Sequence, residues 1–262
     1  MPDPVQQAIY RETLLRENPR YADPKRLCRF GYKVYSQDDE DGAIAEIFRR
    51  IGTKSRRFVE FGVRDGLECN SLYLLLQGWS GHWMEADKKR VAEIESRFGT
   101  FVGRTLQVHP LVISAENIDK LLSQFCPDGA LDLLSIDIDG NDYWVWNAVT
   151  SIQPRVVIIE YNATWRPPLS ITVPHAANRR WDGTNYFGAS LSALTELSGR
   201  KGYKLVGCSF SGVNAYFVRQ ELCANHFAEP LTAENHYEPP RYWIVGPAGH
   251  PSGFGPIRMV PE

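Results

Sequence analysis

Acidic residues gather at the ends of two apolar stretches of the sequence. Residues 58–66, Phe-Val-Glu-Phe-Gly-Val-Arg-Asp-Gly, carry Glu60 and Asp65. Residues 131–140, Leu-Asp-Leu-Leu-Ser-Ile-Asp-Ile-Asp-Gly, carry Asp137 near their end. Carboxylates bind cations and hydroxyl groups and repel phosphate. These stretches therefore favour a ligand with cationic and hydroxyl groups over a nucleotide pyrophosphate.

The first stretch has the pattern of a nucleotide-binding α/β unit. A buried strand, Arg57–Phe61, runs into a glycine-broken turn and a helix that begins near Asn70. S-adenosylmethionine (SAM) has an amino group, a sulfonium and ribose hydroxyls but no phosphate, so it fits an acidic turn. We expect Glu60, Gly62 and Asp65 to bind this cofactor. For the glycines alone, an ordinary tight turn is the alternative.

A second acid follows about one βα unit later. His82–Glu85 is predicted to be a strand, and a carboxylate at its end matches the two hydroxyls of a ribose. Asp87 is predicted to cap the helix that runs to Phe98. A third strand is predicted over Leu106–Ile113, and Ser114 is predicted to cap a helix from Ala115 to about Phe125. The other expected cofactor contacts are Ala86, Val112 and Asp137, with Gln37 or Asp41 closing over the ligand. The alternative for the acids at this helix start is that they complement the helix dipole.

Two predicted neighbouring strands deliver oxygen ligands to one edge of the sheet. Side chains alternate between the two faces of a strand, so Asp137 and Asp139 lie on one face of the first strand. Glu160 and Asn162 lie on one face of the next strand for the same reason. Oxygen ligands suit Mg²⁺, so Asp137, Glu160 and Asn162 are the candidate metal ligands. The alternative is that Asp139 and Asn141 shape a turn while Asp137 holds backbone amides or a substrate amine.

Residues 163–188 form a connection that is too long for an ordinary loop. Its aromatic residues and arginines suit a lid over an anionic or sugar-like substrate, and surface packing is the alternative. His175 is a candidate general base, so Asp137 and His175 are the candidate catalytic residues. The predicted substrate contacts are Asp139, Tyr161, Trp165, Arg166, Arg179 and Asn185.

The order of elements predicts an α/β domain with two appendages. Tyr203–Cys208 and Asn214–Arg219 are predicted to form an antiparallel hairpin, because so short a connection cannot make a parallel crossover. We expect an N-terminal helical arm or lid over residues 1–35. A cofactor-binding domain over residues 36–222 contains the 163–188 insertion. Residues 223–262 are expected to be a tail that wraps the surface or a partner subunit, which allows a homodimer.

Composition excludes several classes of protein. The 262 residues are 43% hydrophobic, which suits a globular chain with a core. A net charge of −2 favours neither nucleic acid nor an anionic membrane as a partner. Five scattered cysteines without a Cys-x-x-Cys pair argue against a disulfide framework or zinc site. No apolar run approaches the roughly 20 residues that span a bilayer, and we expect a cytoplasmic protein.

The sequence resembles the FkbM-type branch of class I SAM-dependent methyltransferases. The resemblance implies a Rossmann-like α/β fold, with a seven-stranded, mostly parallel sheet, one antiparallel strand and helices on both faces. Two departures stand out: Glu-x-Gly-x-x-x-Gly replaces Asp-x-Gly-x-Gly-x-Gly, and Glu160-Tyr-Asn162 replaces the paired ligands of metal-dependent relatives. The matching segments are Ser36-Gln37, Glu40-Asp41-Gly42, residues 58–62, Gly78-Trp-Ser-Gly, Glu85-Ala-Asp87, residues 134–140 and Gly188-Ala-Ser-Leu191.

The expected activity is O-methylation of a small polar acceptor, such as a sugar or a natural product. A metal on Asp137 and Glu160 would lower the pKa of the acceptor hydroxyl, or His175 would take its proton. The alternatives are a SAM enzyme that cyclises the cofactor or transfers another alkyl group, and a non-catalytic SAM-binding scaffold. The acidic turn disfavours a nicotinamide-dependent oxidoreductase.

Overall fold

The computed structural model describes residues 4–138, 140–177 and 181–242. A seven-stranded sheet has the order β3-β2-β1-β4-β5-β7-β6, and β7 is antiparallel to both of its neighbours. This is the Rossmann-like fold of class I methyltransferases, as predicted. The strands are β1 (Arg57–Phe61), β2 (Ser80–Met84), β3 (Leu106–His109), β4 (Leu133–Ile136), β5 (Val156–Glu160), β6 (Tyr203–Cys208) and β7 (Asn214–Arg219).

Helices cover both faces of the sheet, because the central strands are apolar on both sides. One apolar cluster includes residues of α5, α6 and α7, and another includes residues of α2, α3 and α4. None of the helices in the described ranges is long and apolar enough to cross a bilayer. The helices are α1 (Pro4–Glu17), α2 (Glu40–Ile51), α3 (Leu72–Leu76), α4 (Lys88–Arg97), α5 (Ile118–Phe125), α6 (Asp142–Ala148), α7 (Leu191–Arg200), α8 (Gln220–Cys223) and α9 (Ala233–His236).

The segment between β3 and α5 differs from the prediction. The strand ends at His109, and α5 begins at Ile118 instead of Ala115. The Asn117 side chain accepts a hydrogen bond from the Ser114 amide at 3.0 Å and donates to the Val112 carbonyl at 2.8 Å. These bonds hold the chain in a turn where the sequence pattern suggested a helix.

The N-terminal segment packs against the C-terminal segment. Arg20 donates to the carbonyl oxygens of Asn235 and Tyr237, and Tyr21 donates to Glu238 at 2.6 Å. Glu238 is buried, and it also forms an ion pair with Arg241 at 2.8 Å. The two ends of the described chain are thereby joined beside β5, β6 and β7.

Candidate active site

The carboxyl ends of β1, β2, β4 and β5 meet at one edge of the sheet. Gly62, which follows β1, has a φ of +71°, and a Cβ there would lie 1.8 Å from the carbonyl oxygen of Asp137. The backbone after β4 thus requires glycine at this position. At Gly62, the group that lies close to the turn is the backbone of the protein's own chain.

Glu60 organises the turn from within. Its carboxylate accepts hydrogen bonds from the backbone amides of Asn70 at 2.7 Å and Ser71 at 2.9 Å, and from the Ser71 hydroxyl. The side chain is buried, and burial raises the pKa of its carboxyl group. Both oxygens of Glu60 bind protein donors that hold the start of α3, and its contact with the cofactor stays a prediction.

The other acids of the turn also have protein partners. Asp65 forms an ion pair with Arg97 of α4 at 3.3 Å, and Glu68 lies 3.6 Å from the Lys33 ammonium. Asp65 also accepts a hydrogen bond from the Leu67 amide at 3.2 Å. The turn is therefore rich in acids by sequence, but in the structure their charges are paired.

Glu85 lies just beyond the end of β2 and joins two loops. Its Oε2 accepts from the Arg64 amide and its Oε1 from the Asp87 amide, both at 2.9 Å. Each oxygen has a second lone pair, so the carboxylate retains acceptor capacity for two hydroxyls. Asp87 caps α4 by accepting from the Lys89 amide at 2.8 Å, as predicted. Ala86 is exposed, and Val112 is 66% exposed.

Asp41 has a structural role in the loop before α2. Its Oδ2 accepts from the amides of Val34, Tyr35 and Ser36 at 2.7 to 2.8 Å. Burial raises the pKa of the Asp41 carboxyl group. Asp41 fixes the loop before α2, and its contact with the cofactor stays a prediction. Gln37 lies half-buried in that loop.

Three carboxylates converge beyond β4 and β5. Asp137, Asp142 and Glu160 each place one oxygen within 4.8 Å of the others. The predicted set contained Asp137 and Glu160 but missed Asp142. In the sequence, Asp142 is recognisable only as an acid at the first position of a helix. An acid there usually complements the helix dipole, so the sequence did not indicate a ligand.

Asn162 is not placed to complete this group. Its Oδ1 accepts from the amide and the hydroxyl of Thr164, and its Nδ2 donates to the carbonyls of Asn185 and Phe187. These partners use both lone pairs of the oxygen and both hydrogens of the amide nitrogen. Asn162 holds the two ends of the long connection together, and its role as a metal ligand stays a prediction.

The predicted substrate contacts are scattered. Tyr161 is buried in the core and donates to the Glu238 carbonyl at 2.7 Å, and its contact with a substrate stays a prediction. Trp165 is half-buried, whereas Arg166 and Asn185 are exposed. Asp139 and Arg179 lie outside the described residues.

His175, which is part of the long connection, contacts α6 and the segment before α5. Its Nε2 is 3.5 Å from Oε1 of Glu116, and its ring packs edge-on against Trp144 with centroids 6.1 Å apart. The Asn141 side chain donates to the Ala176 carbonyl at 2.8 Å. Asn141 directly precedes Asp142. This bond therefore holds Ala176, the residue after His175, close to the three carboxylates.

Comparison with known proteins gives similarity in structure but not in sequence. No protein-family model matches the sequence, and no curated protein matches it. The resemblance to the FkbM-type branch therefore stays a prediction.

Several solved structures are similar over most of this chain. The N-terminal domain of EvdMO1 with S-adenosylhomocysteine (SAH) bound is 14% identical, covers 83% of this chain and 96% of its own, and has a TM-score of 0.45. A SAM-dependent methyltransferase from Aquifex aeolicus is 11% identical, with coverages of 84% and 100% and a TM-score of 0.40. Magnesium protoporphyrin IX methyltransferase from Synechocystis with bound SAM is 12% identical, with coverages of 84% and 98% and a TM-score of 0.42. The class I fold of this chain is defined by its own strand order.

Proposed function

We propose that this protein is a SAM-dependent methyltransferase of the FkbM type that methylates a hydroxyl oxygen of a small, polar acceptor. The observation that carries the proposal is the arrangement at one edge of the class I sheet. Glu85 lies after β2, and the Asp137, Asp142 and Glu160 carboxylates lie beyond β4 and β5. In open α/β sheets, ligands bind beyond the carboxyl ends of the strands.

The residues at this edge fit the cofactor. The carboxylate of Glu85 would accept hydrogen bonds from the ribose hydroxyls, and the exposed apolar side chain of Val112 would lie against the adenine. Glu60 would act indirectly, by holding the turn after β1. SAM supplies an electrophilic methyl group on its sulfonium, so orientation of the acceptor is the main task of the protein.

The cluster of three carboxylates fits a divalent cation such as Mg²⁺. Hard cations prefer carboxylate oxygens, and Asp137, Asp142 and Glu160 supply three that already lie close together. A cation held there would lower the pKa of an acceptor hydroxyl. His175, which faces Glu116, is the second candidate to receive the acceptor proton.

Calorimetric titration with SAH tests the cofactor site. We expect the wild type to bind and Glu85→Ala to lose about 1–3 kcal/mol of binding free energy, because the ribose hydroxyls lose a charged partner. Asp87→Ala is the matched control, since Asp87 is an adjacent exposed acid that caps α4. No binding of SAH to the wild type would contradict the proposal.

Turnover tests the reaction type. Labelled SAM is incubated with a panel of sugars, phenols and other hydroxylated acceptors, with Mg²⁺ or with a chelator. Label in the acceptor, with SAH as the second product, supports methyl transfer. Formation of methylthioadenosine would favour a different use of SAM, and binding without turnover on the panel would favour a non-catalytic protein.

A further inference from the structure

Three tyrosine hydroxyls join the chain that leaves β5 to the C-terminal end of the described chain. The Tyr161 hydroxyl donates to the Glu238 carbonyl oxygen at 2.7 Å. The Tyr237 hydroxyl donates to the Ala163 carbonyl oxygen, also at 2.7 Å. The Ala163 amide in turn donates to the Tyr242 hydroxyl. Tyrosines from the end of the chain therefore bind both polar groups of the Ala163 backbone, just beyond β5.

The same C-terminal segment, residues 237–242, is also anchored to the turn between β6 and β7. The Arg241 amide donates to the Ser211 carbonyl oxygen at 2.8 Å. A Cβ at Gly212 would lie 2.5 Å from the Pro239 carbonyl oxygen, so the two backbones are in close contact. Because β5 ends beside the start of β7, these anchors place the segment over the sheet edge at which both strands meet the candidate active site.

This position brings Tyr242 near the three carboxylates beyond β4 and β5. Glu160 is the last residue of β5 and lies shortly before Ala163 in the chain. Burial and the negative charge of Glu160 raise the pKa of Tyr242 to about 12, so this carboxylate lies within electrostatic range of the phenol. Glu160 belongs to the same cluster as Asp137 and Asp142. A ligand at the carboxylates would therefore lie next to the tyrosine.

Tyr242 is tethered but not buried. Its hydroxyl is bound at Ala163, while 41% of its surface remains exposed. A tyrosine held at its polar end offers a flat apolar face and loses little conformational freedom when a ligand packs on that face. The carboxylates bind hydroxyls and cations but offer no such face. An acceptor that uses both features carries hydroxyl groups on a ring.

We infer that Tyr242 stacks on a ring of the acceptor while a hydroxyl of that ring is held at the three carboxylates. The inference rests on the proposed function, because it defines the acceptor of that reaction as a hydroxyl-bearing ring. A sugar and a phenol share this chemistry, since each has hydroxyls at its rim and an apolar face. An acyclic polyol has the hydroxyls without the face.

Ligand-observed nuclear magnetic resonance, on the full chain with SAH and Mg²⁺, tests the inference. The probes are methyl α-glucopyranoside and catechol, which are rings, and sorbitol, which is acyclic. Tyr242→Ala removes the aromatic face, and Tyr242→Phe keeps the face but removes the tether. Tyr10→Ala is the control, because Tyr10 lies on α1 and is exposed to a similar extent, 46%. Calorimetry with SAH and thermal unfolding show whether each variant keeps its cofactor site and its fold.

We expect a ring probe to bind the wild type and Tyr242→Ala to weaken that binding by about 3-fold to 10-fold, the range for a lost aromatic contact. Tyr242→Phe should weaken it by less than about 3-fold, because the ring remains. SAH affinity should change by less than about 2-fold in both variants, since the cofactor does not use this face. Tyr10→Ala should change neither affinity. Binding of catechol alone indicates an aromatic acceptor and binding of the glucopyranoside alone a carbohydrate, and either result supports the inference.

Four outcomes overturn the inference. Ring probes that bind Tyr242→Ala as well as the wild type show that the tyrosine does not contact the acceptor, and the methyltransferase proposal then stands. Absence of binding by both ring probes, or a loss of sorbitol binding equal to theirs, removes stacking as the basis of recognition. Equal weakening of SAH and ring probes assigns Tyr242 to the cofactor site or the fold. Failure of the wild type to bind SAH overturns the proposed function as well.

Discussion

Asp142 accepts a hydrogen bond from the Ile138 amide at 2.8 Å, which ties the first residue of α6 to the chain that leaves β4. Its second carboxylate oxygen accepts from the Gly140 amide, also at 2.8 Å. The side chain is buried, and these two bonds hold it beside Asp137 and Glu160. An acid that would otherwise be an ordinary helix-start residue thus becomes part of a group able to bind a cation.

This group should bind Mn²⁺, which is a spectroscopic substitute for Mg²⁺. We expect Asp142→Asn and Glu160→Gln each to weaken Mn²⁺ binding by roughly 10-fold or more, because each removes an anionic ligand. Asp128→Asn is the control, since Asp128 is an exposed acid paired with Arg57 on the surface. The measurement is loss of the free Mn²⁺ signal in electron paramagnetic resonance. Equal affinity in all four proteins would remove the metal from the proposal.

Gly62→Ala should destabilise the fold far more than Gly78→Ala. Both glycines have positive φ, but a Cβ at Gly62 would lie 1.8 Å from the Asp137 carbonyl oxygen, whereas a Cβ at Gly78 meets no atom within 4 Å. We expect a loss of about 1–2 kcal/mol for Gly78→Ala, from the backbone conformation alone. Gly62→Ala should lose about 3 kcal/mol or more, because the turn and the end of β4 must separate. Urea denaturation measures both, and equal losses would contradict the close contact.

Arg11→Met should destabilise the protein by leaving buried acids without their partner. Arg11 of α1 lies 3.0 Å from Asp38 and 3.2 Å from Asp39, and both acids are buried. Breaking such a pair typically costs about 3–5 kcal/mol, and partial exposure of Arg11 places the expectation near the lower end. Arg49→Ala, which removes an exposed partner of Glu46, should change stability little.

The cost of Arg11→Met should depend on pH. Burial raises the pKa of Asp38 to about 6, so this acid carries more protons in the folded state than in the unfolded state between about pH 4 and 6. Its contribution to stability therefore falls as pH rises through that window. Loss of Arg11 should make the fall steeper, and the difference between variant and wild type should be larger at pH 7 than at pH 5. A difference independent of pH would show that Arg11 does not act on these acids.

His82 should make the fold less stable in acid. Its Nδ1 lies 2.9 Å from Nε2 of His109, and its ring stacks on Phe125. Burial, with a contribution from His109, lowers the pKa of His82 to about 4. The unfolded chain binds a proton at His82 below about pH 6.5, and the folded chain does not until about pH 4, so stability falls as pH falls through this window.

We expect His82→Gln to flatten the dependence of the melting temperature on pH between about 6.5 and 4. The exposed His226→Gln is the control, and it should leave the wild-type slope unchanged. A slope that His82→Gln does not alter would contradict the assignment of this titration to His82.

Local sequence pattern predicted most elements of the fold. The apolar runs of β1, β4 and β5, the cap of α4 by Asp87 and the hairpin of β6 and β7 all follow from short-range rules of period, capping and connection length. The error at α5 arose from one side chain, because Asn117 bonds to residues that the helix pattern would otherwise include.

The roles of individual polar residues were predicted less well. Four residues that the sequence predicts at ligands also form hydrogen bonds within the protein that the sequence did not indicate: Glu60, Asp41, Tyr161 and Asn162. Period two indicates the face of a strand on which a carboxylate lies, but it carries no information about which donor reaches that carboxylate. Such donors come from other segments of the chain.

By itself, the sequence determined the class I fold, the edge of the sheet that carries the acids and the place of Glu85 after β2, because these depend on hydrophobic period and element order. Only the tertiary structure decided that Asp142 joins Asp137 and Glu160, and that the acids of the turn after β1 pair with Arg97 and Lys33. Both depend on which distant groups pair with each acid. Pairing is a property of three-dimensional contact, so it appears only when the chain has folded.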